Sequence, residues 1–212
     1  MRCCPKLHFQ GGFNLQSIIA EAGWPIWPLL LISIVGLAII FERLLSLRRM
    51  RVCPKGLSSE AIRLYRSNSL DPDSLVRLED SSLCGRVLAT ILANRNKPLQ
   101  EIRYQAELRG ADTSYEMQRF LPALSMIATV APLMGLFGTV IGMIEIFAAY
   151  QPGGTDPGQL ARGISIALYN TGFGILIAVP AAIAHRLLRV HVENLLFQIE
   201  QESRLLLEQI KH

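Results

Sequence analysis

The stretch APLMGLFGTVIGMI, from Ala131 to Ile144, decides the fold. It lies inside Leu121–Phe147, a run apolar enough to cross a bilayer, which takes roughly 20 such residues. Within the run Ala131, Gly135, Gly138, Gly142, Glu145 and Ala149 recur at spacings of three and four, so they share one face of a helix. Small side chains on a membrane helix let another backbone come close. A second apolar run, Ile164–Leu188, carries the same kind of stripe in Gly163, Ala167, Thr171, Gly174 and Ala178. Both spans are therefore built to meet partner helices. Each also contains one proline, Pro132 or Pro180, which removes a helical hydrogen bond and marks an expected kink.

Working outward, the whole chain is 50% hydrophobic and 18% charged, where a soluble domain carries about 25% charge. A third run, Trp24–Leu45, is also long enough to span. It reads as an uncleaved span, because Glu42-Arg43-Leu44-Leu45 stands where a small-residue cleavage site would be. Trp24 and Trp27 suit the interface, and Pro25 and Pro28 suit a first helical turn. Basic residues crowd the exit of this run (Arg43, Arg48, Arg49, Arg51, Lys55), and Arg186 and Arg189 follow the last span. The hairpin from Gln151 to Gln159 has none. The positive-inside rule then puts the N-terminus in the periplasm and the C-terminus in the cytoplasm. This bias accounts for the net charge of +4, which is no sign of nucleic-acid binding.

These features predict an all-α membrane protein with three transmembrane helices, the second and third extended into a cytoplasmic helical bundle. Residues 1–20 form an N-terminal periplasmic arm and 21–47 the first transmembrane helix. Residues 48–119 form a cytoplasmic helical region, in which Ser58-Ser59-Glu60 and Asp71-Pro72-Asp73 are helix-start signals. A helix starting at Leu99 is expected to run on to Ala149, about 75 Å at 1.5 Å per residue, with Pro122 as a kink. Its last part, 120–149, is the second transmembrane helix. A periplasmic turn over 150–160, a third transmembrane helix over 161–188 and a cytoplasmic C-terminal helix over 189–212 complete the chain. Cys53 and Cys84 fall in the region expected to stay reduced. Like Cys3 and Cys4, they match no zinc-binding spacing and read as unremarkable thiols.

Four polar residues stand in or beside the stripes: Thr139, Asn170, Thr171 and Glu145. A threonine in a membrane helix either bonds its own preceding turn or faces a hydrated path. Glu145 lies near the outer end of its span, where it is either solvated at the interface or stands at a channel mouth. The spans contain no His-Glu-x-x-His, no Gly-x-Ser-x-Gly and no paired nucleophile and base. An enzyme is not expected, nor is a metal or cofactor.

The two stripes together resemble a known family. Residues 131–144 look like the first signature of the MotA/TolQ/ExbB proton-channel family, and GISIALYNTGFGILIAVPA, residues 163–181, resembles its second. Three spans with a large loop after the first are similar to the ExbB/TolQ branch. The resemblance implies an inner-membrane homo-oligomer, a pentamer, around a single-span ExbD/TolR-like partner whose membrane aspartate takes up and releases protons. It also implies that Thr139 and Thr171 line the pore. The work done would be energising a TonB- or TolA-like protein, for TonB-dependent uptake or Tol-type envelope constriction. One position departs from the pattern: Ile166 stands where the branch usually has Glu. A path lined by Thr139, Thr171 and Asn170, with Glu145 near its mouth, would hold water without titrating in the third span, and it suits sodium as well as a proton. The competing reading is a scaffold that assembles through its glycine faces and conducts nothing.

Overall fold

The structure, a computed structural model, describes residues 23–48, 52–54, 56–67, 71–148 and 157–211. The expected periplasmic arm, Cys3 and Cys4, and most of the expected outer turn lie outside the described residues. Within them the chain forms seven α-helices and no strand: α1 (Ile26–Ser46), α2 (Leu57–Arg66), α3 (Pro72–Ser81), α4 (Leu83–Ala93), α5 (Leu99–Gln118), α6 (Leu121–Ala148) and α7 (Pro157–Lys211). Three stretches are long and apolar enough to cross a membrane: α1, the α6 part of Leu99–Ala148, and the first part of α7. The molecule is thus an all-α membrane protein with three transmembrane helices.

The described residues fall into two compact units. One takes residues up to Ile34 together with Ile127–Pro180, and the other takes Val35–Met126 together with residues from Ala181 onward.

In the first unit, α1 starts in the turn before Ile26, where the Trp27 amide donates to the Trp24 carbonyl at 3.3 Å. Pro28 costs nothing there, because first-turn amides have no acceptor within the helix. Trp24 packs edge-on against Phe137 of α6, with ring centroids 6.1 Å apart. Pro132 and Pro180 lie inside α6 and α7, and each denies a donor to the carbonyl four residues earlier. The α7 helix begins at Pro157, so its first turn occupies the end of the stretch expected as a turn. Proline is preorganised for that position.

The second unit is built around α4, which packs against α2, α3 and α5. Cys84, Val87, Leu88, Ala89, Ile91 and Leu92 are buried on it. Its N-cap, Ser82, accepts a hydrogen bond from the Gly85 amide at 3.0 Å. Gly85 has to be glycine, since a Cβ there would fall 2.0 Å from the Leu78 carbonyl oxygen of α3. Along the distal part of α7, Ala181, Leu188, Val192, Leu195, Ile199, Ser203 and Leu206 are buried at intervals of three, four and seven residues. That spacing forms one helical face.

Ser58, Ser59 and Glu60 stand in the first turn of α2, which starts at Leu57 after Gly56 in the left-handed region (φ 89°). One helix boundary differs from the sequence-based expectation: α5 and α6 are separate helices, divided at Arg119 and Phe120. Pro122 is the reason: it has no amide for the Gln118 carbonyl and its ring crowds that carbonyl, so the helix restarts at Leu121 instead of continuing. By contrast, Asp71 and Pro72 stand at the N-cap and first position of α3.

Candidate ion pathway

The candidate site lies in the first unit, where α6 meets α7 through glycine. An added Cβ on Gly135 would lie 2.9 Å from the Asn170 carbonyl oxygen and 3.1 Å from the Thr171 Cα. On Gly138 it would lie 2.4 Å from the Asn170 Cβ, and on Gly142 2.9 Å from the Gly163 carbonyl oxygen. The contact is reciprocal. A Cβ on Gly163 would fall 2.2 Å from Ile146 Cγ1, and one on Gly174 2.7 Å from the Ala131 carbonyl oxygen. Ala167 touches the Gly142 position, and Ala178 is buried farther along α7. Backbone-to-backbone approach of this kind is what an absence of side chain permits.

Polar groups stand in and beside this contact. Thr171 donates its hydroxyl across the helix boundary to the Gly135 carbonyl at 3.4 Å. Thr139 donates to the neighbouring Leu136 carbonyl at 2.6 Å. Two hydroxyls from two spans thus rest on consecutive carbonyls of α6. Asn170 is 0% exposed; its amide donates to the Ile166 carbonyl at 3.0 Å, and its side chain lies over Gly138. It is therefore part of the helix contact within this one chain. Glu145 is exposed toward the end of α6. Ile166 is buried, and its Cγ2 lies 4.0 Å from the Cβ position of Gly23, beside the start of α1. No group of three or more His, Cys, Asp or Glu side chains among the described residues is placed to hold a metal.

The pattern that defines the MotA/TolQ/ExbB proton channel family matches residues 79–201. The chain belongs to this family. Its relatives include the biopolymer transport protein exbB1 of Vibrio cholerae, 30% identical over 196 residues, which covers 88% of this chain and 84% of the relative. The Tol-Pal system protein TolQ of Haemophilus influenzae is 28% identical over 199 residues, covering 88% and 86%. An ExbB-like protein of Synechocystis is 28% identical over 157 residues, covering 72% and 74%. Within the MotA/TolQ/ExbB family the chain is an ExbB/TolQ-like member and a multi-pass inner-membrane protein. The family is one of proton channels rather than enzymes.

Glu42-Arg43 at the end of the first span also fits the family resemblance, and Arg43 has further partners distant in sequence. Arg43, in the last turn of α1, is 5% exposed in the second unit. Its guanidinium donates to the Met117 carbonyl at 3.3 Å and stacks 4.6 Å from the Phe120 ring centroid. It also pairs with Glu42 at 2.9 Å. The α5–α6 break takes helical donors away from the last carbonyls of α5, and Arg43 supplies one of them. Only the adjacency of Glu42 and Arg43 could have hinted at this, since the other partners are distant in sequence.

Proposed function

We propose that this chain is the channel-forming subunit of a proton-driven envelope motor, assembled as a homo-oligomer around an ExbD/TolR-like single-span protein. Family membership supports a proton-channel role of the TonB or Tol kind and an association with such a partner in the membrane. The pentameric count and the engagement of a TonB- or TolA-like protein are part of the proposal, as is a periplasmic N-terminus with a cytoplasmic C-terminus.

The observation that carries the mechanism is that hydroxyls from both spans rest on consecutive carbonyls of α6, Thr171 across the α6–α7 contact on that of Gly135 and Thr139, on the exposed side of α6, on that of Leu136. A hydroxyl that donates to its backbone still has lone pairs to accept from water, so these hydroxyls can hold a short water chain in an otherwise apolar wall. The third span offers no titrating group there. Ile166 replaces the branch's usual acid and is packed beside the start of α1. The partner's membrane carboxyl must then take up and release the proton, while Thr139 and Thr171 relay it and Glu145 faces the mouth. Asn170 serves the path by holding α7 against Gly138. The proton-motive force would thereby move the partner and do mechanical work on the envelope.

The test uses the chain with its partner in proteoliposomes under an imposed proton gradient. Thr139→Val and Thr171→Val should each lower proton flux about tenfold or more, the effect of roughly 1.4 kcal/mol on a barrier. Native mass spectrometry should find the same assembly as wild type. A scaffold reading has one observation in its favour: both hydroxyls already have carbonyl acceptors, as pure packing requires. On that reading both variants conduct and support growth like wild type, and that result would remove the threonines from the path.

A further inference from the structure

The second unit holds a pair of buried thiols that the channel does not use. Cys53 belongs to the short segment between α1 and α2, and Cys84 to the first turn of α4. They are separated by α2 and α3 in sequence, yet their side chains are in hydrogen-bond contact. Cys84 is 0% exposed and Cys53 7%, and both are thiols in this structure. A third group faces them from α7: the Glu202 carboxylate is close enough to act on Cys84, and its Oε2 is buried without a hydrogen-bond partner among the described residues. Hydrophobic packing alone calls for none of this chemistry. Gly56, immediately before α2, has a φ of 89° and open space around its Cβ position, and Pro54 gives no amide to anchor the turn.

We propose that Cys53 and Cys84 are a redox-modification site, closing to a reversible intrachain disulfide that staples the segment after the first span onto α4. The oxidant class is a small-molecule disulfide such as glutathione disulfide. Cys53, the more exposed thiol, attacks it, releases one small thiol and becomes a mixed disulfide. Cys84 then attacks the Cys53 sulfur and releases the second small thiol, which leaves with the Cys84 proton. The two protein thiols lose two electrons and two protons, and the small disulfide is reduced to two thiols. The hydrogen bond to Cys53, burial, and the neighbouring charges push the Cys84 thiol far above its ordinary range. A protonated, buried thiol reacts slowly, so closure is slow and the dithiol is the resting state.

The full chain in its own membranes is treated with glutathione disulfide, and its peptides are mapped by mass spectrometry with and without reduction. A Cys53–Cys84 linked pair that disappears on adding dithiothreitol is expected. In Cys84→Ser the same treatment should leave Cys53 as a mixed disulfide with glutathione, and in Cys53→Ser the linked pair should be absent. Recovery of both residues in the wild-type protein as separate thiols, as separate glutathione adducts, or linked only between chains would overturn the proposal. The readout is chemical and does not depend on conduction, so its failure leaves the channel reading untouched.

Discussion

A guanidinium does not lose its proton in a protein, so Arg43 carries its full charge where it is buried. Its partners divide the task of replacing water. The Met117 carbonyl accepts from it, the Glu42 carboxylate lies beside it as an ion partner, and the Phe120 ring presents its negative face. Arg43→Ala should lower the stability of the extracted protein by about 2–3 kcal/mol, the scale of a charged hydrogen bond together with a cation–π contact. Arg43→Lys should recover little of it, because an ammonium lacks the planar fork that donates and stacks at once. Thermal unfolding in detergent measures both, and a lysine variant as stable as wild type would show that charge alone suffices. The importance of this arginine was not legible from its neighbours, because it depends on a carbonyl and a ring brought from the far side of the second unit. The same holds for Cys53 and Cys84, which read as ordinary thiols until α2 and α3 fold back and join them.

At the scale of elements, glycine in one helix can mean opposite things in different places. Gly85 closes α4 onto the backbone of α3, whereas Gly110, inside α5, has nothing within 4 Å of its Cβ position. Gly85→Ala must displace backbone and should cost about 1–3 kcal/mol or more. Gly110→Ala should stabilise by about 1 kcal/mol, the helix-propensity difference. Melting temperatures moving in opposite directions are the expected result, and a shift of the same sign in both would contradict the close contact at Gly85. The small-residue stripes in 131–142 and 163–178 were readable because a 3.6-residue period needs only one chain to be seen. The α5–α6 break was not. Pro122 admits either a kink or a restart, and what decides is whether the freed carbonyls find donors, which the sequence does not display.

Across the whole molecule, the fold class was legible because three apolar runs and their flanking charges bound the answer before any packing is known. The division into two units was not, since it depends on which residues touch. It makes a prediction of its own. Ile91 is fully buried on α4 in the second unit, so Ile91→Ala should remove about 2–5 kcal/mol of stability there. Hydrogen exchange should quicken in α3, α4 and α5, while the first-unit amides of 131–148 and 158–174 keep their protection. Equal loss of protection in both would mean that they unfold as one.

Arg43 and Met117 are 74 positions apart in the chain. At 5–20 residues per second, the ribosome takes about 4–15 s to deliver the second after the first. For that interval Arg43 stands at the end of the first span with its eventual carbonyl and ring not yet made. The one partner already present is Glu42, synthesised immediately before it. The adjacent acid is therefore a companion for biogenesis as well as for the finished protein, and replacing it should be felt first in the yield of inserted chains.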